Sequence, residues 1–401
     1  VSLEGLPLVA LLAALYGGRY WLMRDKSLAW FLAALTVATA VLSLATRPWS
    51  EFNGRYCDIV LPGHATAFAA AAVATALLRF APAQDRRSAR FAGLAVLPLV
   101  CLPIAAAGVG ECLVEPYGKL DPLVVKFWFD QVIEGRPVWD QLPSIAVTLL
   151  WLLPLIGGGW WLALRKSWVP RERRLDLALL VLFAIGAWLY SLAVMREGLV
   201  AEMLALPFAG VLLADLLPRA RAIGATVPRI AATLGVLFFV PPAGASVLLK
   251  HVDAASVAAV VPAATLAQVN EGEKCDYSRL AALPKGVLFA TIDRGPAILW
   301  QTPHSIVAGG YQRDQAAMAA VIRAFISDPA AAEPIVRASG ANYVVACSSE
   351  KDLAMFRQVR AGNFANVLAE GRSPAWLAPV PGFASGPLRV YRVRQSAFTI
   401  P

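Results

Sequence analysis

Histidine is nearly absent from this sequence: His64, His251 and His304 are its only three in 401 residues. No two of them lie at helical ligand spacing, and zinc needs three or four nearby His, Cys or carboxylate groups. A zinc site built by this chain is therefore excluded. Three signatures are missing as well. There is no Gly-x-Gly-x-x-Gly run and no P-loop to cradle a nucleotide. There is no Gly-x-Ser-x-Gly elbow to seat a hydrolase serine. Charge is scarce too, at 16% of residues against 58% hydrophobic, where soluble domains carry about 25% charge. The net charge of +9 does not indicate nucleic acid, because no basic patch with interleaved aromatics occurs. No cleavable signal peptide opens the chain. It starts with Val, in the middle of an apolar element, which reads as the latter part of a longer protein.

What is present is a series of long apolar runs. A spanning helix needs roughly 20 apolar residues, and runs of that kind occupy 5–23, 28–46, 59–79, 91–112, 144–164, 175–195, 198–217 and 229–249. The first is the weakest, since Arg19 must snorkel out of it. The connections alternate in charge. Those after the odd-numbered spans hold Arg24 and Lys26, then Arg79, Arg86, Arg87 and Arg90, then Arg165 to Arg174, then Arg219, Arg221 and Arg229. Those after the second, fourth and sixth hold Glu51, Asp58, Glu115, Asp121, Asp130, Glu134, Asp140 and Glu197. The positive-inside rule places the basic set in the cytoplasm. Eight spans then leave residues 250–401 outside.

The expected architecture is a polytopic α-helical membrane domain of about eight spans (1–249), with an outer amphipathic loop at 113–143. A small α/β periplasmic domain (250–401) follows it. In the loop, Phe127, Trp128, Phe129 and Trp139 suit an element lying on the membrane surface or an ordinary interfacial belt. Beyond residue 270 the runs shorten to strand length. Strands are expected at 286–292, 304–310, 341–348 and 387–394. Helices are expected from Pro296, over 315–327 behind an Asp314 N-cap, and, broken, over 328–340.

Four of the five cysteines fall outside in this topology. Cys57 and Cys112 sit at outer ends of spans, and Cys275 and Cys347 in the tail, while Cys101 lies alone inside a span. Of the three possible pairings, Cys57–Cys112 with Cys275–Cys347 joins like regions and fits an oxidising compartment. Free buried thiols are the alternative.

Six residues carry candidate binding chemistry. Arg196 sits in the short turn between spans six and seven with Glu202 one turn further in, and ionisable groups at that depth read as functional. Arg196 could grip a lipid phosphate. Glu202 could join it there or serve only as its ion-pair partner. Glu4 is similarly placed. Asp293, His304, Tyr311 and Arg313 flank strand ends of the tail, where α/β domains place functional groups. A His with an Arg there suits a phosphate. The plain alternatives are that Asp293 caps the helix near Pro296 and that His304 fills a hydrogen-bonded turn. Pro62 and His64 read as a kink or a cap.

Three stretches carry a resemblance: SLEGLPL, GRYCDIVLPGHATAF and CDYSRLAALPKGVLFATIDRGPAILWQTPHSIVAGGYQRD. Together they resemble the C-terminal part of bacterial GT-C-type membrane glycosyltransferases, of the polyprenyl-phosphate-sugar-dependent, protein-mannosyltransferase-like kind. In that family a Gly-Pro helix precedes Thr-x-His and then a Tyr-His-Arg-Asn-like motif. Here the last reads Tyr311-Gln312-Arg313-Asp314, with the second His and the Asn replaced. The resemblance implies a multi-pass protein of the bacterial inner membrane. It implies a polyprenyl-phosphate-linked sugar donor and an acceptor of unspecified identity. It also implies a catalytic carboxylate, and with it any divalent cation, in an upstream loop outside this sequence. A transporter or flippase-like protein, and a non-catalytic envelope assembly protein with a periplasmic binding domain, are the other readings. No inverted repeat supports the transporter.

Overall fold

The computed structural model describes residues 3–47, 57–78, 80–81, 85–113, 119–141, 143–241, 275–384 and 386–394. Arg79, Glu51, Glu115, His251 and the end of the expected 229–249 span lie outside the described residues. The chain divides into two compact units, one of residues 1–118 and 133–256, the other of 119–132 and 257–401.

The first unit is helical. Its elements are α1 (Leu6–Met23), α2 (Ser27–Thr46), α3 (Pro62–Leu78) and α4 (Arg87–Val109). After α5 (Pro122–Phe127), which belongs to the second unit, come α6 (Pro143–Arg165), α7 (Arg174–Ala193), α8 (Gly198–Arg221) and α9 (Thr226–Phe239). Each expected span coincides with a helix over its described residues, the last only in its first part. Six are long and apolar enough to cross a membrane, whereas α3 and α9 are shorter apolar helices. This is a multi-pass membrane protein by length and composition. Leu152, Ile156, Ala184, Ala187, Ala201, Ala205 and Phe208 form the buried seam of α6, α7 and α8. Small residues let the backbones approach, as in membrane helix packing generally.

The backbones of α3 and α4 approach closely. A Cβ on Gly63 would stand 2.4 Å from the backbone carbon of Gly108. The Cys57–Cys112 disulfide closes the same end of this pair, beside buried Leu61 and Val109. His64 caps α3, its Nδ1 accepting the Leu61 N–H at 3.0 Å. Arg19 does more than snorkel: it pairs with Asp25 and with Asp176 of α7. Asp215, buried in α8, is held by Lys166 at 3.6 Å and Arg219 at 2.9 Å.

The second unit is α/β. Its sheet runs in the order β2 (Ser305–Ile306), β1 (Val287–Phe289), β3 (Tyr343–Cys347), β5 (Leu388–Val393), β4 (Leu377–Pro379). The first three are mutually parallel, and β5 runs antiparallel to both its neighbours, β3 and β4. All five residues of β3 are buried, as befits a central strand covered on both faces. One face packs on α11 (Gln315–Ile326), α12 (Pro329–Ala338), α13 (Lys351–Arg357) and α14 (Phe364–Ala369), through Phe325, Phe356 and Phe364. The other face meets α10 (Gly295–Gln301) and the Tyr277–Ala282 turn. The Cys275–Cys347 bridge ties that turn segment to β3.

Several expectations shift. The 304–310 strand pairs only over Ser305–Ile306, because Gly309 and Gly310 follow on the sheet edge. The broken helix at 328–340 is one helix, with Pro334 inside and Gly340 ending the segment at φ +70. Ala332 and Val336 are buried on its apolar face, which outweighs the missing proline N–H. Asp314 caps α11 as expected, accepting from the Ala317 N–H at 3.4 Å. The 113–143 loop is not one surface element, because residues 119–132 pack with the α/β unit. Val124 and Phe127 lie fully inside its core, each contributing about 1.5–3 kcal/mol by burial. The Asp121 N–H donates to the Gln315 side chain at 2.7 Å.

The Gly63–Gly108 contact leaves no room for a methyl group. Gly63→Ala is expected to lower the thermal midpoint of the detergent-solubilised protein, at an overpacking cost of about 1–3 kcal/mol. Gly18→Ala, whose Cβ meets nothing within 4 Å, should be neutral or stabilising. Equal midpoints for both variants would refute the close crossing.

Candidate functional site

In the helical unit the candidate groups gather at the start of α8. A 3-10 turn, Met195–Glu197, carries Arg196 between α7 and α8. Its guanidinium is anchored on one side: Nη1 donates to Glu4 Oε2 at 3.0 Å. Glu134 lies 3.7 Å from Nη2, and Glu197 is buried among the same charges. Nε is buried with no hydrogen-bond partner. The side-on Nε/Nη2 edge, which matches two oxygens of an oxyanion, is therefore under-used. Arg196 and Glu202 line one 350 Å³ cavity together with Ile145, Thr148 and Leu199. Glu202 makes no ion pair with Arg196 among the described residues; Glu4 and Glu134 take that role. Tyr190 fixes the Glu4 backbone, its hydroxyl donating to the carbonyl at 3.0 Å.

In the α/β unit, the four sequence candidates separate. His304 precedes β2, at the N-terminal end of the parallel strands. Its Nδ1 accepts the Gly286 N–H at 3.1 Å and its Nε2 donates to the Leu280 carbonyl at 2.8 Å. With 4% exposure and both nitrogens engaged, it fills a hydrogen-bonded turn. The assignment of His304 to a binding rim is corrected accordingly. Asp293, Tyr311 and Arg313 lie at the opposite, C-terminal end, after β1 and β2. Gly295 lets these two loops touch, since a Cβ there would lie 2.9 Å from the Gly309 Cα. Arg313 stacks over the exposed Tyr311 ring at 5.8 Å.

Asp293 does not cap α10, whose N-cap is Arg294 without a side-chain bond. Instead it faces the loop after β3. Its N–H donates to Asp352 Oδ2 at 3.2 Å. Thr291 bonds Glu350, and Arg294 Nε lies 3.3 Å from Glu350 Oε1. Glu350 and Asp352 were missed in the sequence. They follow the expected 341–348 strand as Asp293 follows β1, and the strand-end rule that found Asp293 would have found them. Burial, with Asp293 repulsion behind it, pushes the Asp352 carboxyl up to about 6. Burial and the neighbouring Asp352 raise Glu350 well above the usual carboxylate range. The loops after β1 and β3 leave in opposite directions along the sheet, the crevice where open α/β sheets bind ligands. No group of three or more metal-ligating side chains occurs among the described residues.

No family profile matches the chain, and no curated protein sequence matches it significantly. Among solved structures it is similar to the oligosaccharyltransferase AglB of the archaeon Archaeoglobus fulgidus. Against that enzyme in complex with an inhibitory peptide and a dolichol-phosphate, identity is 14% and the TM-score 0.51. That match covers 98% of this chain and 50% of the other. Against the apo form the values are 16%, 0.54, 98% and 51%. The fold is GT-C-like. The likeness runs through both units of the chain, yet spans about half the length of its neighbours. At this identity it speaks for the GT-C-like fold alone.

The carboxyl cluster sets a pH dependence. Asp352 binds its proton more tightly when folded, so the folded state holds more protons between about pH 4 and pH 6. Stability contributed there is full below that window and is lost as pH rises through about 6. Asp352→Asn, which keeps an acceptor for the Asp293 N–H, should flatten the dependence and raise the melting temperature at pH 7. A melting profile unchanged from pH 4 to 7 in both proteins would overturn the assignment.

Proposed function

We propose that this chain is the latter part of a membrane glycosyltransferase that takes a sugar from a polyprenyl-phosphate donor. The proposed setting is the periplasmic face of a bacterial inner membrane. The GT-C-like fold supports the class, and the dolichol-phosphate bound by the archaeal neighbour supports a lipid-phosphate donor. The observation that carries the reading is Arg196. Its Nη1 is fixed by Glu4, its Nε is buried without a hydrogen-bond partner, and the residue lines a cavity shared with Glu202.

In such a transfer the acceptor attacks the anomeric carbon, and the bond to the phosphate oxygen breaks with its electron pair. Negative charge therefore grows on the leaving phosphate. A guanidinium already oriented toward that oxygen stabilises it without reorganisation. Glu134 is 66% exposed, so it can give way to a phosphate at little cost. No described residue is assigned as the base that takes the acceptor proton; a carboxylate of an upstream loop is proposed for that role. Asp293, Tyr311 and Arg313, on one rim of the α/β unit, are proposed to contact the substrate.

The test is sugar transfer by the full-length protein from a panel of polyprenyl-phosphate sugars. Arg196→Ala should reduce kcat about 10- to 100-fold, the range of one charge-assisted bond of about 1.5–3 kcal/mol. Arg196→Lys should recover little, since an ammonium cannot present the paired donors. Full activity in Arg196→Ala would remove Arg196 from the site. No transfer from any donor by the wild type would overturn the reading.

A further inference from the structure

The helical unit holds a second, larger cavity at the other end of α1. It measures 660 Å³ and lies between α1, α2, α3 and α4, with Ala14, Gly18, Trp21, Phe91, Leu94 and Cys101 in its wall. Apart from Trp21, its wall on α1 is made of alanine and glycine, which opens the groove. It follows α4 from Phe91 to Ala105, about 21 Å at 1.5 Å per residue. That length exceeds one leaflet of the hydrocarbon core, about 15 Å.

One end of the groove is basic. Trp21 donates its indole N–H to the Arg87 carbonyl at 3.1 Å. Arg90 Nε returns a bond to the Trp21 carbonyl at 2.9 Å. Arg24 is taken by Asp85, and Arg90 is buried. Arg86 and Arg87 remain exposed at the first turn of α4, with no ion pair among the described residues. That helix N-terminus adds its own positive potential. Four arginines thus stand against one aspartate at the mouth of an otherwise apolar groove. This end is remote from Arg196, because Glu4 and Trp21 sit at opposite ends of α1, about 25 Å apart.

We propose that this groove holds one acyl chain of an anionic glycerophospholipid, with its headgroup phosphate at Arg86 and Arg87. Such a lipid is a structural partner on the membrane face opposite the Arg196 cavity. The apolar wall takes the chain, Trp21 sits at the interfacial level where aromatic belts form, and the two free guanidinium groups select the charge.

The test uses full-length protein, delipidated by detergent washing and returned to nanodiscs of equal phosphatidylglycerol and phosphatidylcholine. Native mass spectrometry after release then counts the retained lipids. The wild type should keep one phosphatidylglycerol in preference to phosphatidylcholine. Gly18→Phe, which projects into open space and improves helix propensity, should reduce retention about tenfold. Arg86→Gln with Arg87→Gln should keep a lipid but lose the preference for charge. The Gly18→Phe melting temperature, read alongside, shows that the variant is folded. Retention of no lipid, as when another protein segment covers the groove, would overturn the proposal. So would equal retention of the two lipids by the wild type, or unchanged retention in folded Gly18→Phe.

Discussion

The ion pair between Arg196 and Glu4 joins residues 192 positions apart and fixes the start of α1 against the turn between α7 and α8. Neither partner is stable alone where apolar side chains surround it, because an unpaired charge in such a medium costs several kcal/mol. Charged groups near this turn are committed to neighbours, Glu4 to Arg196 and Arg136 to Asp140, and the Met195 N–H donates to the Arg136 carbonyl. That commitment is also what leaves the Arg196 Nε without a hydrogen-bond partner, while Glu134 stands 3.7 Å from Nη2. A guanidinium held from one side cannot turn to satisfy its Nε, which stays buried without a hydrogen-bond partner.

The same economy of charge governs the opposite helix ends. Arg19 with Asp25 and Asp176, and Asp215 with Lys166 and Arg219, bind neighbouring helices where residues 1–249 carry most of their arginine. Arg86 and Arg87 make no ion pair among the described residues, and they sit beside a groove, next to Trp21. Between the two charged layers, contact is backbone against small residue. Gly63 on Gly108 and Gly159 on Phe208 give the helices their crossing points with no polar group involved.

Much of this was legible in the sequence because a membrane makes loud demands on composition. Length and apolarity located every helix of the first unit. Cysteine placement led to both disulfides, since each pair lies at one end of one unit. The α/β unit was harder for an identifiable reason. Its strands are short and its contacts depend on which loops adjoin after folding. His304 looked like chemistry because histidine is rare, but a ring between Gly286 and Leu280 is equally rare in sequence and visible only in space. Asp293 looked like a helix cap. Its real neighbour, Asp352, lies 59 residues on, and only the adjacency of β1 and β3 brings them together. Residues 119–132 read as surface-lying because Phe127 and its aromatic neighbours match an interfacial belt. Nothing local shows that Val124 and Phe127 complete a core whose other members begin 160 residues later.

The position of Glu350 and Asp352 follows from sheet topology rather than from their own sequence context. A crevice opens wherever adjacent parallel strands send their connections apart, and β1 and β3 do so here. Polar side chains at such a point are shielded by helices on both faces, so they must pair among themselves or with Thr291 and Arg294. Three carboxylates and one guanidinium leave an excess of negative charge, and burial resolves it by retaining protons. The α/β unit is thus joined across its parallel strands by groups whose charge depends on pH. The helical unit is joined by permanently charged arginines. The two halves of the chain use opposite solutions to the same problem of placing ionisable groups out of water.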